Sequence, residues 1–459
     1  VADIIISDMF RYEENPSEFV QVLYCLLSIL LCVALLCLQM SMIKSNIEMQ
    51  LFLLPIVIYY SYEIPLYAAF LNMLVVPLMS ILLSLGLTGS IVVMTAPDSL
   101  KFLGTWLFTG CRWILMVYEK LCESMLEVPG ARIVIGKPAI WQILIYYMGV
   151  AIVWILRTRG RKWRHLVMIL IMAILIHKFE GIEQMKVTVL DVGQGDGIFI
   201  KGPGRMTCMI DGGSSDVKQV GQYRIEPYLL SKGVGSLDYV FISHGDSDHI
   251  NGIEEMITRQ KIGVKIKTLV FPEKKVWDES MENLALLAKK SGVKVAVIKE
   301  GQPLCDREME ILCLGPGESY SGESGNAASM VLTVSYRDYD FLFTGDAEGE
   351  GEEQICEALK KYCPEKKIEV LKAAHHGSKN SSSEIFLKQV RPLYTLISAG
   401  VDNAYGHPHA ETVERLEKIN SYIMNTANCG GIEITVEFGG KIQYTLKEGS
   451  EHTAYEESE

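Results

Sequence analysis

The chain has 459 residues, a formal net charge of -12, and 49% hydrophobic against 21% charged residues. That length exceeds one ordinary domain, and a mean hydropathy of +0.21 beside a near-normal charge fraction means that the apolar residues are concentrated in one part. The acidic balance excludes general, charge-driven affinity for nucleic acid, so any such role has to rest on metals or on a local basic groove.

The apolar part comes first. Asp3, Asp8, Glu13 and Glu14 stand where a secretory signal carries its basic segment, so no signal peptide is read, and a start at Val1 is expected of a piece of a longer protein. Val20 to Met42 is uncharged and long enough to cross a bilayer as a helix. Leu51 to Met94 is apolar but interrupted by Glu63, Pro65 and Pro77, which suits two passes or broken helices. Glu63 and Asn72 are polar groups in these surroundings, equally compatible with a functional and a helix-packing role. Gly104 to Leu126 carries Arg112, Glu119, Lys120 and Glu123, as an amphipathic helix at the interface or along a polar cavity would. Ala139 to Leu156 is a further span, and Leu166 to Ile176 a shorter one that Trp163 and Phe179 can extend by interfacial anchoring. Between them, Arg157-Thr-Arg-Gly-Arg-Lys-Trp-Arg-His165 is basic enough to stay cytoplasmic under the positive-inside rule. If Leu166 to Ile176 crosses, everything from about Lys178 onward lies outside the cytoplasm; if it rests on the surface, the following domain is cytoplasmic. The first placement is the expectation: a multi-pass region in the cell membrane, then an extracytoplasmic domain.

From Lys186 onward charged residues recur every few positions. Met185 to Ile200 reads as strand, Gly-rich turn and strand. Met206 to Asp211 is another strand, Tyr223 to Lys232 a helix, and Leu237 to Ser243 a buried strand; Lys261 to Gly301 follows as strand, helix, strand. Directly after the buried strand comes Ser243-His-Gly-Asp-Ser-Asp-His249, with four candidate ligands in six residues. His244 and Asp246 can face one metal, Asp248 and His249 a second. A lone histidine is more often a satisfied polar group, and aspartates often mark turns. Turn chemistry, however, asks for no histidine pair at that spacing, and crowded carboxylates repel unless a cation neutralises them. Asp340 to Thr344 is a strand ending at Gly345-Asp346, where the carboxylate can bridge two metals or cap a helix. Glu369 to Ala374 ends at His375-His376-Gly377-Ser378, and Leu393 to Ser398 precedes Tyr405-Gly-His-Pro-His409. Every candidate follows a strand, as in a site built on the rim of sheets. The 11 cysteines include no C-x-x-C pair and read as small buried hydrophobes. The acidic, polar residues 449–459 are expected to be disordered.

His-x-Asp-x-Asp-His, Gly-Asp and His-His-Gly-Ser together resemble the metallo-β-lactamase superfamily, whose fold is an α/β, αββα sandwich. Leu190-Asp-Val-Gly-Gln-Gly-Asp196, His244 to Gly252, Thr344-Gly-Asp346 and Tyr405-Gly-His-Pro-His409 are similar to the ComEC family of bacterial DNA-uptake proteins. So are Pro65-Leu-Tyr-Ala-Ala-Phe-Leu-Asn72 and Pro77-Leu78 in the apolar part. The resemblance implies a helical, multi-pass membrane region over 1–180 and a metallo-β-lactamase-fold hydrolase over 181–448. It implies two divalent cations: His244 and Asp246 on one, Asp248 and His249 on the other, Asp346 between them and His375 completing the second. Asp246 stands where the wider superfamily has a histidine, which hardens the set and makes manganese as suitable as zinc. Asp248 would also orient the attacking hydroxide, with His407 and His376 donating a proton or binding phosphate. Asn326, Ser329 and Ser378 would contact substrate, and Asp196 would join the site or cap a turn. The implied activity is a DNA phosphodiesterase of natural transformation, with single-stranded DNA at the site and membrane lipid and other DNA-uptake proteins as partners. The same ligands suit a surface hydrolase of small, lipid or cell-wall phosphodiesters. A non-catalytic DNA-transport component is the third reading, disfavoured by a full ligand set. ComEC members carry an amino-terminal soluble domain and further helices before the point where this chain begins, so a DNA pore is not expected of this chain by itself.

Overall fold

A computed structural model describes residues 44–177 apart from 129 and 161–162, 184–437 apart from 318, 319, 321 and 323, and 442–446 with 450–453. The span expected at Val20 to Met42 lies outside the described residues. The chain divides into two compact units, one holding residues up to 57 with 64–133 and the other 58–63 with 134–459.

In the first unit, α1 (Ala68–Thr95) and α2 (Lys101–Leu126) form an antiparallel pair. Tyr118 Oη donates to the Val75 carbonyl at 2.7 Å, and Gly104 lies so close to Val93 that a Cβ there would meet its Cγ2 at 2.4 Å. The apolar block from Leu51 to Met94 is indeed broken: helix runs to residue 61 and resumes at Ala68.

The second unit begins with an apolar hairpin, α3 (Ile140–Thr158) and α4 (Arg164–Ile176). Among the described residues, Phe70–Thr95 and Ile140–Thr158 are the helices long and apolar enough to cross a membrane, while His165–Ile176 is shorter. Gly149 seats Ile171 against the α3 backbone, since a Cβ there would meet Ile171 Cγ2 at 2.3 Å. The buried Gln142 amide donates to the carbonyls of Ile174 and His177 at 2.7 and 2.8 Å, satisfying groups that the end of α4 leaves without helical partners. This hairpin groups with the sandwich in the second compact unit. Lys137 N–H donates to Ser231 O at 2.7 Å, one of the tethers responsible.

The rest is a sandwich of two mixed sheets. Its strands are β1 (Met185–Val189), β2 (Ile198–Lys201), β3 (Thr207–Ile210), β4 (Ser236–Phe241), β5 (Lys265–Phe271) and β6 (Lys294–Val297). They continue with β7 (Pro303–Asp306), β8 (Met309–Gly315), β9 (Val331–Tyr336), β10 (Tyr339–Phe343), β11 (Ile368–Lys372) and β12 (Tyr394–Ile397). The last are β13 (Tyr422–Asn425), β14 (Ile432–Val436), β15 (Ile442–Leu446) and β16 (Ser450–Thr453). One sheet has the order β16-β15-β14-β1-β2-β3-β4-β5-β6 and the other β13-β12-β11-β10-β9-β8-β7. In the first, β3 to β6 run parallel; in the second, β10 to β13 do. Val187, Ile200 and Phe241 from one sheet and Ile311, Val334, Phe341 and Val370 from the other share the central core. Helices α5 (Glu226–Ser231), α6 (Ser247–Thr258) and α7 (Glu279–Lys290) cover the first sheet through Leu229, Ile253 and Leu284. Helices α8 (Glu350–Tyr362), α9 (Glu384–Val390) and α10 (Ala410–Lys418) cover the second through Ile355, Leu387 and Leu416. This is the αββα architecture expected. Strands covered on both faces are apolar nearly throughout, which is why they were legible as short continuous runs. At the carboxyl end, Ser450–Thr453 pairs antiparallel with β15 as the edge strand of its sheet. Residues 454–459 lie outside the described residues.

Candidate metal centre

The carboxyl ends of the parallel strands of both sheets meet at one rim. Asp211 follows β3, Ser243 to His249 follow β4, Asp346 follows β10, His375 and His376 follow β11, and Ser398 to His409 follow β12. Two glycines let the loops close on one another. A Cβ on Gly195 would lie 2.6 Å from Asp248 O, and one on Gly213 would lie 2.5 Å from His249 N, so neither position admits a side chain.

Asp346 sits at the middle, 2% exposed. Its carboxylate is 3.3 Å from His249 Nε2, 3.7 Å from His376 Nε2, 3.9 Å from His375 Nε2 and 4.0 Å from His244 Nε2. Asp246 Oδ2 lies 3.4 Å from His244 Nε2, and Asp248 Oδ2 lies 3.4 Å from His376 Nε2. Four atoms here, His244 Nε2, His249 Nε2, His376 Nε2 and Asp346 Oδ1, are buried and lack a hydrogen-bond partner. Leaving buried polar atoms unpaired costs about 1–3 kcal/mol each, and a cation removes that cost for all of them together. The donor atoms of His244, His249 and Asp346 all lie within 4.8 Å of one another, as do those of Asp248, His249 and His376. Imidazole and carboxylate donors so arranged fit divalent cations.

The electrostatics of the site agree. Burial would raise the Asp346 carboxyl, yet His249 and His376 hold it well below the usual range. Burial would lower His376, but Asp346 and Asp196 push it up to about 9; His249 is raised for the same kind of reason, by Asp346 and Asp211.

Supporting contacts fix the ring orientations. His249 Nδ1 is 3.0 Å from Asp211 Oδ2, and Asp211 Oδ1 accepts from Ser243 N at 2.8 Å. His244 Nδ1 is 2.9 Å from Ser243 Oγ, and His376 Nδ1 donates to Ser398 O at 3.0 Å with Asp196 Oδ1 at 3.3 Å. Each of these leaves Nε2 as the atom presented to the centre.

Residues 19–160 match the family described as Competence protein, and residues 190–401 match the Metallo-beta-lactamase superfamily. The two matched regions follow one another along the chain without overlap. ComE operon protein 3 of Bacillus subtilis is 28% identical over 405 residues, 84% of this chain and 50% of that protein. Competence protein ComA of Neisseria gonorrhoeae is 26% identical over 388 residues, 82% of this chain and 49% of that protein. The chain thus spans about half the length of these relatives. Among solved structures, the metallo-beta-lactamase fold protein YhfI from Bacillus subtilis overlaps with a TM-score of 0.39 at 16% identity, over 55% of this chain and 99% of that one. The match to the metallo-β-lactamase superfamily implies divalent metal binding, and the histidine and aspartate clusters that could hold a metal ion lie within the matched residues.

The geometry departs from the sequence expectation at the two adjacent histidines. His376 is 1% exposed with its Nε2 among the unpartnered atoms, whereas His375 is partly exposed and its Nδ1 lies 3.3 Å from Glu348 and 3.4 Å from Asn326 Nδ2. Both residues have left-handed backbones (φ 48° and 52°), a strain of about 1–3 kcal/mol each of the kind that accumulates at functional sites. That twist swings the second ring to the centre. Ser329, expected on substrate, is buried: its hydroxyl accepts from Asp346 N at 3.2 Å and lies 3.5 Å from His244 Nδ1. Ser378 is also buried, with its hydroxyl accepting from Asn380 N at 3.3 Å. His407 is half-buried beside both histidines, with ring centroids 5.5 and 6.1 Å away.

Asp211, Gln194, Ser398 and Lys372 also support the site, and the sequence pattern does not mark them as ligands. The Asp211-Gly-Gly strand end and the lone lysine in β11 were the available signals. Because Asp211 Oδ2 lies against His249 Nδ1 while His249 Nε2 faces Asp346, Asp211→Asn should lower metal affinity by about 10–100-fold while leaving the fold intact. Metal titration together with circular dichroism checks this; unchanged affinity refutes the orienting role.

Proposed function

We propose that this chain is the hydrolase part of a DNA-uptake protein: a membrane-anchored, two-metal phosphodiesterase acting on DNA, with single-stranded DNA at its site. The observation that carries the reading is the convergence of buried, unpartnered imidazole nitrogens on the Asp346 carboxylate. His244, Asp246 and Asp346 would hold one cation, and Asp248, His249, His376 and Asp346 the other, manganese or zinc. When bound, two such ions supply a hydroxide near neutral pH and positive charge for the phosphodiester oxygens. That charge answers the objection raised by the acidic chain.

The protein's own groups do the rest. Asp248 keeps 21% of its side chain exposed, the carboxylate through which an attacking water can be oriented. His407 is lowered to about 4 by burial and by the neighbouring His376 and His375, so it is neutral at physiological pH. Gln194 Oε1 accepts from Gly400 N at 3.2 Å, which turns its Nε2 toward His407 Nδ1 at 3.3 Å. Nδ1 therefore accepts and the ring proton sits on Nε2. His407 is then a hydrogen-bond donor to a phosphoryl or leaving oxygen rather than a charged acid.

The extracytoplasmic reading is supported by the hairpin. Gln142, near the start of α3, donates to the end of α4, while Arg157 and Arg159 stand at the other end of α3, about 28 Å away. With those basic residues on the cytoplasmic side, the positive-inside rule favours a hydrolase on the opposite side.

The detergent-solubilised chain, loaded with Mn²⁺ or Zn²⁺, should cut single-stranded DNA, and Asp248→Ala should abolish cutting. No cleavage by the native chain with either metal would remove the nuclease reading. Chromogenic small diesters hydrolysed far faster than DNA would replace it with a small-phosphodiester hydrolase.

A further inference from the structure

The loop from Gly400 to His409 brings His407 to the metal centre, and it carries a second ring with no part in that chemistry. Tyr405 is 58% exposed, and its ring lies against that of His407 with centroids 5.8 Å apart and planes 21° from parallel. His407 in turn lies against His376, with 6.1 Å between centroids and 28° between planes. Three rings thus stand in a near-parallel series from the buried His376 to the surface. The outermost has more than half of its area in water.

The loop is firmly held. The Asn403 side chain donates to Gly400 O at 2.9 Å and to His407 O at 2.6 Å, and accepts from His407 N at 2.9 Å. Gly406, left-handed at φ 72°, turns the chain between the two rings, and its N–H donates to Asn403 O at 3.2 Å. His409 N donates to Gly377 O at 3.0 Å, which ties the far end of the loop to the residue after His376. Tyr405 therefore keeps its place beside the centre through the fold itself.

A tyrosine that served packing alone would bury its apolar body. Val401, the other large apolar side chain of this loop, is exposed as well, so the fold leaves both largely uncovered. Tyr405 already stacks one flat ring, and a second flat ring suits its free face. Nucleobases are the flat groups that accompany a phosphodiester, and aromatic side chains hold the bases of single strands in this way. A lipid diester offers no plane to match. Stacking also needs no positive charge, which suits a chain of net charge -12.

We propose that Tyr405 is a stacking platform for a nucleobase of single-stranded DNA, on the nucleotide next to the phosphodiester that His407 contacts. The subsite rests on the DNA reading above and adds a reason for this site to prefer nucleic acid over other diesters. Every base has a face to stack, so the preference is independent of sequence.

The first test is binding. The whole chain in detergent, with EDTA present to block metal-dependent cutting, is titrated at one salt concentration against two labelled strands of equal length. One is oligothymidylate, the other an abasic deoxyribose-phosphate strand, and fluorescence anisotropy is the readout. The native chain should bind oligothymidylate about tenfold more tightly than the abasic strand. Tyr405→Ala should remove that preference by weakening oligothymidylate alone, and Tyr405→Trp should keep it. Tyr405→Leu, which keeps apolar bulk but loses the plane, should behave as Tyr405→Ala does and serves if that variant does not fold. In Mn²⁺ the same loss should raise KM for oligothymidylate about tenfold and leave kcat in place, since the contact is made equally in ground and transition states. Where EDTA abolishes binding of both strands, these KM values decide by the same comparison.

A native chain that holds both strands equally, or a folded Tyr405→Ala that keeps the preference, overturns the subsite. So does a variant that weakens both strands alike or loses kcat instead of KM, which would make Tyr405 a support for His407. The nuclease reading fails separately. Tyr405-dependent binding of oligothymidylate without any cutting keeps the platform and removes the nuclease, and cutting untouched by Tyr405→Ala does the reverse. Neither binding nor cutting removes both.

Discussion

His376→Ala loses metal binding and hydrolysis together, whereas His375→Ala keeps its metal and a measurable share of activity. His376 is the buried ring, with Nε2 3.4 Å from Asp248 and 3.7 Å from Asp346 and its other nitrogen tied to Ser398 O. Truncating it removes a donor from the centre and leaves Asp248 and Asp346 facing each other without the imidazole between them. The loss should exceed the roughly 10–100-fold that a supporting residue costs. His375 stands at the edge, with Nε2 3.9 Å from Asp346 and its other nitrogen 3.3 Å from Glu348, so its loss should fall within that range. Metal content by elemental analysis and turnover of DNA, measured on both variants, decide the matter. Metal retained in His376→Ala and lost in His375→Ala would exchange their roles.

Much of this was legible in the chain itself, for a physical reason. A site on the rim of parallel strands puts its polar residues directly after short apolar runs, and that contrast survives in one dimension. The segment Ser243 to His249, Gly345-Asp346 and the paired histidines all stand out in this way. What did not survive is direction. Adjacent His375 and His376 have the same chemistry and follow the same strand, and a left-handed twist at both decides which ring faces inward. Ser329 and Ser378 match in position but are buried in bonds to the backbone, which only the folded neighbours reveal. Hydropathy likewise cannot tell a helix that packs with the hydrolase from one that packs with other apolar helices. The contacts of Gln142 and Lys137 settle that for α3 and α4.

Lys372→Met should destabilise the protein by about 3–5 kcal/mol, and Asp196→Asn by a comparable amount, because each leaves the other charge buried alone. Lys372 is fully buried and Asp196 is 1% exposed; Nζ donates to Asp196 Oδ2 at 2.9 Å and to Ala373 O at 3.0 Å. Burial opposes ionisation of Asp196, but Lys372 and then His376 hold its carboxyl below the ordinary range. A carboxyl depressed by folding contributes stability that is complete above the unfolded carboxylate range, near pH 4, and fades as pH falls below it. The pair joins the Gly-rich loop after β1 to the end of β11, and so spans the two sheets just beneath His376. Removing both charges at once, in Asp196→Asn/Lys372→Met, should cost clearly less than the two single losses added together, since neither charge is then left unpaired. The double variant should still bind metal more weakly, because Asp196 no longer stands 3.3 Å from His376 Nδ1. Urea unfolding of the three variants at neutral pH gives the coupling, and metal titration of the double variant gives the second effect. Single losses that simply add would show that Lys372 and Asp196 act independently, and an unaltered metal affinity would confine Asp196 to holding the sheets together.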